Sequence, residues 1–277
     1  MVRDTHPTEE GSIMRQGAIL GLAVLAVLML AGCCSTCPRA GRPSAKRHGV
    51  VIAIQAESIP EYKRLHAHTW PGVLKAVDRA HMDNHSIYLG EVAPDRYYLL
   101  GYYEYTGKDL DADMARMKKD ATMQQWWTLT DPLQDPLPTR REGEWWSQWQ
   151  EVFHYAGPAY DNDDVKLRWG SIIGVRQENL LAYTQLHATV WPGVLAALED
   201  VNIRNYSIFL GQVRSGEYVL FSYFEYVGND FEGDMKRMAA DKVTQLWWTY
   251  TDPLQTRLPG TPEGAQWKAV EEVFHTD

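Results

Sequence analysis

Residues 61–74 read EYKRLHAHTWPGVL, and residues 182–195 repeat them as AYTQLHATVWPGVL, 121 positions further along the chain. Three more motifs recur at the same offset: NHSIYLG (84–90) as NYSIFLG (205–211), MQQWWTLTDPL (123–133) as TQLWWTYTDPL (244–254), and EVFH (151–154) as EVFH (272–275). A period this long is typical of a duplicated domain, because solenoid repeats span only about 20–45 residues. The sequence therefore predicts two copies of one fold.

Helix signals surround the repeated motif in the first copy. Ser58 with Glu61 three residues on has the spacing of a capping box, which predicts a helix beginning there. Side chains at steps of four share one helix face, and three aromatic side chains follow that spacing: Tyr62, His66 and Trp70. Pro71 then predicts the start of a second helical piece.

Strands flank these helices. We predict strands at Val50–Ile54, Asn84–Val92, Arg96–Tyr105 and Trp149–Tyr155, and further helices at Asp109–Lys119 and Ala121–Leu129. The resulting order, β-α-β-β-α-β, is that of a ferredoxin-like α+β unit. Such a sheet has helices on one face only, so its other face needs a cover. The second copy can supply it, and we expect an intramolecular pseudo-dimer with domains at 49–156 and 169–277 joined by a linker at 157–168.

The N-terminus predicts export. Residues 17–31 (GAILGLAVLAVLMLA) form an apolar run after Arg15, which is typical of a secretory signal and short of the roughly 20 residues of a membrane span. Leu30-Ala31-Gly32-Cys33 resembles the bacterial lipobox, and this implies cleavage before Cys33 and a lipid on that cysteine. We expect a signal peptide over 1–32, a tether over 33–48, and a membrane-anchored lipoprotein whose domains face the periplasm or the cell exterior.

Composition narrows the classes of function. The chain has 277 residues, 45% hydrophobic, which is enough for two cores, and its net charge of −9 argues against a nucleic-acid partner. The sequence contains no GxSxG, no phosphate-binding glycine loop and no dinucleotide fingerprint, so covalent catalysis and nucleotide cofactors lack support. His68, which forms HxH with His66, becomes Thr189 in the second copy, and we predict no metal site.

The repeated histidines are the candidate acid–base groups. His66 and His187 lie among repeated aromatic side chains, and aromatic rings beside a group that titrates near neutrality suit a sugar. A packed core histidine is the alternative interpretation. We interpret His154 and His275 as structural, and Asp131 and Asp252, each before a proline, as turn residues.

Both copies resemble the L-rhamnose mutarotase family along nearly their whole length, through the motifs quoted above. The resemblance implies a dimeric α/β-barrel of ferredoxin-like units that interconverts the α and β anomers of a pyranose without a cofactor. By position, His66 and His187 match the family's catalytic proton donor. Substrate-binding residues match at Tyr62, Trp126, Trp127, Tyr183, Tyr206, Trp247 and Trp248. The first copy departs from the pattern at His85, where the second has Tyr206, and Trp70 and Trp191 are further candidates.

Three hypotheses follow. The first is a lipid-anchored, duplicated mutarotase that acts on L-rhamnose or a related deoxy-sugar. The second is a carbohydrate-binding lipoprotein without catalysis, although retention of His66 and His187 favours the enzyme. The third is another chemistry of dimeric α/β-barrels, such as cofactor-free oxidation of an aromatic substrate.

Overall fold

A computed structural model describes residues 45–277. The predicted signal peptide, Cys33 and most of the tether lie outside the described residues. Over the described range, no helix is both long enough and apolar enough to cross a membrane.

Each copy has the same sequence of elements. In the first copy these are β1 (Lys46–Ile54), α1 (Ile59–Ala67), α2 (Pro71–Arg79), β2 (Met82–Ala93), β3 (Arg96–Tyr105), α3 (Leu110–Met117), α4 (Ala121–Thr130), β4 (Gln134–Asp135) and β5 (Ser147–Tyr155). In the second copy they are β6 (Leu167–Val175), α5 (Leu180–Ala188), α6 (Pro192–Asp200), β7 (Ile203–Arg214), β8 (Glu217–Tyr226), α7 (Phe231–Ala240), α8 (Lys242–Thr251), β9 (Gln255–Thr256) and β10 (Lys268–Thr276). The main elements follow the predicted β-α-β-β-α-β order.

Eight strands close into one antiparallel barrel. Hydrogen-bonded neighbours run in the order β10-β2-β3-β1-β5-β7-β8-β6, and β6 pairs with β10 again. The last strand of each copy crosses to the other copy: β5 pairs with β1 near its start and with β7 further on, and β10 pairs with β6 and then with β2. Closure leaves no open sheet edge among these eight strands. The two copies therefore share one sheet.

The barrel interior is packed with side chains from both copies. Phe209, Phe221, Tyr88 and Leu100 are almost fully buried in one cluster. Gly49 makes room for this packing, because a Cβ atom there would lie 2.3 Å from the Phe209 ring. The equivalent glycine of the second copy, Gly170, admits the Tyr88 ring in the same way. Each sheet half thus has its inner face covered by aromatic rings of the other.

Two buried carboxylates meet at the junction of the copies. Glu104 and Glu225 are 5% and 2% exposed, respectively. Asn84 donates to both, at 2.9 and 2.5 Å, and Asn205 donates to both, at 2.7 and 3.1 Å. Burial of a carboxylate is costly unless hydrogen bonds compensate it. The amide pair supplies that compensation and ties the two copies together.

Several boundaries differ from those predicted. β1 begins at Lys46, four residues before the predicted strand, because it continues to pair with β3 up to Tyr105. The linker ends earlier than predicted, since β6 begins at Leu167. The predicted capping box is wrong: the Ser58 side chain makes no capping hydrogen bond, and Glu61 accepts instead from Arg64 at 2.7 Å.

Candidate active site

Helix α1 brings a tyrosine and a histidine into contact in the first copy. Tyr62 and His66 are one helical turn apart, and their rings stack with centroids 4.0 Å apart. Nδ1 of His66 lies 3.0 Å from the Tyr62 carbonyl oxygen. Because a carbonyl can only accept a hydrogen bond, Nδ1 carries the proton in this contact. The lone pair of the neutral ring is therefore on Nε2.

Helix α4 forms a second wall. Asp120 caps its N-terminus by accepting from the amides of Thr122 and Met123. Trp126 is buried and meets the His66 ring edge-on, with centroids 5.4 Å apart. The adjacent Trp127 is half-buried. Since neighbouring residues on a helix point in different directions, the tryptophan pair contributes one ring next to His66 and one farther along the wall.

Trp70 lies elsewhere than the four-residue spacing predicts. Helix α1 ends at Ala67, and Trp70 has extended backbone angles (φ −65°, ψ 138°) as the N-cap of α2. Its ring packs edge-on against Trp126 at 5.4 Å. The second copy repeats this contact between Trp191 and Trp247 at 5.2 Å. Pro71, which lacks an amide hydrogen, favours a new helix start at this point, so Trp70 supports the wall rather than extending the Tyr62 face.

The other copy completes the site. Phe274, on β10 of the second copy, meets the His66 ring edge-on at 5.6 Å and the His85 ring at 5.5 Å. His85 reaches this position through a bulge in β2, where the register with β3 shifts between Asp83 and Ser86 and Asn84 adopts a positive φ of 48°. A bulge re-aims a side chain in this way. A single copy would therefore lack one wall of its own site.

These residues line a cavity of about 450 Å³. Its lining includes five of the predicted or possible site residues (Tyr62, His66, His85, Trp126 and Trp127), the turn residue Asp131 and the cross-copy neighbour Phe274. Most of the wall is aromatic or aliphatic, with a few polar groups. The volume falls within the range of about 300–1,000 Å³ that is usual for small-ligand sites.

Sequence reasoning missed several lining residues. Gln134 is buried, is hydrogen-bonded to Tyr62, and accepts from the Trp145 indole N–H at 2.9 Å. Gln148 and Trp146 line the same cavity. Gln134 recurs as Gln255 at the end of the repeated TDPLQ, and this recurrence could have identified it as a site residue. Trp145 and Gln148 have no counterpart of the same type in the second copy, so the repeat gave no indication of them.

Burial sets the electrostatics of the site. It lowers the pKa of His66 from 6.5 to about 4, against the opposing effect of the hydrogen bond to the Tyr62 carbonyl. Burial likewise lowers the pKa of His85 to about 3, helped by repulsion from His66 and His275. Burial raises the pKa of the Tyr62 hydroxyl above its usual range. At neutral pH both imidazoles are therefore uncharged, and His66 presents a basic Nε2.

The second copy reproduces this arrangement. Tyr183 stacks on His187 at 4.0 Å, and Nδ1 of His187 lies 3.0 Å from the Tyr183 carbonyl oxygen. Trp247 and Phe153 meet the His187 ring edge-on at 5.6 and 5.9 Å, and Phe153 comes from the first copy. Burial lowers the pKa of His187 to about 4.

Tyr206 occupies the position equivalent to His85, after the same kind of bulge in β7. Its ring meets Phe153 at 5.4 Å and Phe224 at 5.6 Å. Trp248 follows Trp247 on α8 and is half-buried. The structure therefore brings Tyr183, His187, Tyr206 and Trp247 together through ring contacts.

The remaining polar candidates lie at strand and helix ends. Nδ1 of His154 lies 3.0 Å from the Ser207 hydroxyl, and that of His275 lies 2.9 Å from the Ser86 hydroxyl, so each bridges a cross-copy strand pair. Asp131 begins a 3₁₀ turn directly after α4, as expected of a turn residue, and also lines the cavity. Among residues 45–277, no cluster of three or more His, Cys, Asp or Glu side chains is arranged to hold a metal ion.

Comparisons with known proteins divide the chain at the same place. A family model described as L-rhamnose mutarotase matches residues 47–155 and again residues 168–276. An L-rhamnose mutarotase of Lactiplantibacillus plantarum is 30% identical over 112 residues, which cover 40% of this chain and 99% of that protein. One of Bacillus subtilis is 34% identical over 111 residues, covering 40% and 98%. A putative monooxygenase structure from Lactobacillus acidophilus is similar with a TM-score of 0.47 at 8% identity, covering 83% of this chain and 95% of that one.

Proposed function

This chain belongs to the L-rhamnose mutarotase family, and we propose that it interconverts the α and β anomers of a pyranose without a cofactor. L-rhamnose or a related deoxy-sugar is the proposed substrate, in keeping with the names of the relatives. The observation that carries the proposal is the half-buried, neutral imidazole of fixed tautomer, which each copy holds against an aromatic wall.

The histidine can perform both proton transfers. Nε2 of His66 takes the proton from the anomeric hydroxyl, O1, and forms an imidazolium. The imidazolium then donates that proton to the ring oxygen, O5, as the C1–O5 bond breaks and the open-chain aldehyde forms. Because O1 and O5 are bonded to the same carbon, one nitrogen can reach both in turn. Reclosure on the other face of the aldehyde reverses the two transfers and gives the other anomer.

The lowered pKa of His66 suits the second transfer. An imidazolium whose pKa is about 4 is a stronger acid than free imidazolium, so it delivers its proton more readily to the weakly basic O5. The aromatic walls contact the C–H faces of the sugar, and the neighbouring polar groups orient its hydroxyls. No activated nucleophile is needed, because no covalent intermediate forms.

We further propose that Cys33 anchors the protein to a bacterial membrane, with the barrel on the periplasmic or outer side. The lipobox-like stretch at 30–33 and the basic, proline-containing residues that follow it support this location.

Anomer exchange measured by saturation-transfer NMR on the wild-type chain tests the function. We expect exchange between α- and β-L-rhamnose to be faster with the protein than with buffer alone. Binding of the sugar without faster exchange would favour the carbohydrate-binding alternative and would contradict the proposal.

A further inference from the structure

The cleft of the first copy continues past the cavity that holds His66. A second cavity of about 730 Å³ adjoins it. The two share eight lining residues, among them Tyr103, Lys118, Trp127, Trp145, Trp146 and Gln148. A ligand whose reactive end lies beside His66 therefore has room to extend past the Trp127 ring into the second cavity.

Polar side chains on β1, β3 and β5 form a chain at the second cavity. His48 stacks on Tyr103 at 4.7 Å, and its Nδ1 donates to Oε1 of Gln148 at 3.2 Å. Gln148 in turn donates to the Tyr103 hydroxyl at 3.4 Å. Nε2 of His48 is left as an acceptor and is buried without a partner among the described residues. The groups that the chain offers to a ligand hydroxyl are the Gln148 side-chain amide and the Tyr103 hydroxyl, because both residues line the second cavity and the His48 contact fixes the amide in place.

The charges and aromatic rings of the second cavity indicate which class of ligand it suits. The second cavity is lined by two cationic side chains, Lys118 and Arg141, and two anionic ones, Asp111 and Glu144. This balance gives no net preference for an ionic ligand. Indole rings of Trp127 and Trp145, beside hydrogen-bonding groups, are suited to a neutral sugar ring.

The second copy differs at these positions. Trp169, Phe224 and Ala269 stand where the first copy has His48, Tyr103 and Gln148. Trp169 packs against Phe224 at 6.4 Å and against Phe231 at 5.2 Å, within an apolar cluster. The polar chain therefore belongs to the first copy alone, which is also the copy with His85 in place of the phenol.

We propose that the second cavity is a sugar subsite, and that the first copy acts on the reducing end of a disaccharide or longer oligosaccharide. This inference rests on the proposed function. The reducing ring lies beside His66 with O1 free, and the next ring, linked through another hydroxyl, lies between Trp127 and His48. The two copies then divide the substrates: free monosaccharide for the second, oligosaccharide reducing ends for the first.

The test compares two sugars on the full chain: L-rhamnose and a reducing disaccharide of two rhamnose rings. Saturation-transfer NMR gives kcat/KM for anomer exchange of each. His48→Phe retains the ring stack on Tyr103 and removes the Nδ1–H group that holds the Gln148 side chain in place. We expect it to lower kcat/KM for the disaccharide about tenfold, the usual effect of one lost hydrogen bond in a site, and to leave that for L-rhamnose unchanged.

Two further variants keep the test decisive. Arg141→Ala alters an exposed side chain of the second cavity, and we expect a selective loss on the disaccharide there too. Trp169→Phe changes the equivalent position of the second copy and should leave the disaccharide rate unchanged. The subsite is contradicted if both first-copy variants leave the disaccharide rate intact, or if Trp169→Phe lowers it as much. Absence of exchange on either sugar with the wild-type chain would instead contradict the proposed function.

Discussion

His85→Tyr should make the protein more resistant to acid. His85 is half-buried between Phe274 and Tyr103, and desolvation there lowers its pKa from 6.5 to about 3. As the pH falls below 6.5, His85 is therefore protonated in the unfolded chain but stays neutral in the folded chain. The free energy of unfolding decreases as a result, until the pH reaches about 3 and the folded chain is protonated as well. A tyrosine has no titration in this window. This histidine therefore lowers the free energy of unfolding of the wild type by about 2 kcal/mol between pH 8 and pH 5.

Urea unfolding at pH 8 and at pH 5 measures this difference. The equivalent position already accommodates a tyrosine, since Tyr206 lies between Phe153 and Phe224 in the same arrangement. The variant should therefore fold, and any packing change should contribute equally at both pH values. Tyr206→His is the matched reverse variant, and it should lose stability between pH 8 and pH 5 relative to the wild type.

The decisive quantity is the change in unfolding free energy from pH 8 to pH 5, compared between variant and wild type. The reasoning predicts that this loss is about 2 kcal/mol smaller in His85→Tyr. An equal loss in both proteins would refute it, because His85 would then be accessible to protons in the folded state.

Three further predictions concern catalysis and location. On L-rhamnose, His187→Ala should reduce the anomer exchange rate more than His66→Ala, by about 10²-fold or more, because the second copy retains the phenol of Tyr206; equal losses in NMR exchange rates would mean that the phenol is dispensable. Since desolvation lowers the pKa of both His66 and His187 to about 4, catalysed exchange should be constant from pH 8 to about 5 and fall near pH 4. A pH–rate inflection near 6.5 would contradict this lowered pKa. Cys33→Ser should release the protein from the membrane fraction or block its processing; unchanged fractionation and mature mass would contradict the lipid anchor.

Much of each copy could be predicted from local sequence. The strand Arg96–Tyr105 and the helix start at Pro71 have the predicted bounds, because a hairpin turn and a proline fix them locally. The aromatic group around His66 was also predictable, since the repeat singles out its members at matching positions.

Cross-copy features were not predictable in this way. The contact of Phe274 with His66 depends on the pairing of β10 with β2, which joins residues almost 200 positions apart. The position of His85 depends on a bulge that Asn84 permits by adopting a positive φ. The second cavity depends on His48, which the predicted boundaries placed in the tether, whereas the barrel includes it in β1. Sequence periodicity indicates which face of its own helix or strand a residue occupies. These features depend instead on the register between strands, which periodicity does not indicate.

The double variant His66→Ala/His187→Ala tests most directly the claim that half-buried, neutral imidazoles catalyse anomer exchange. Exchange between α- and β-L-rhamnose should be measured by saturation-transfer NMR at pH 7, with circular dichroism to confirm that the variant is folded. The account predicts that exchange falls to the rate in buffer alone while L-rhamnose still binds to the aromatic walls. A folded double variant that retains the wild-type exchange rate would contradict it.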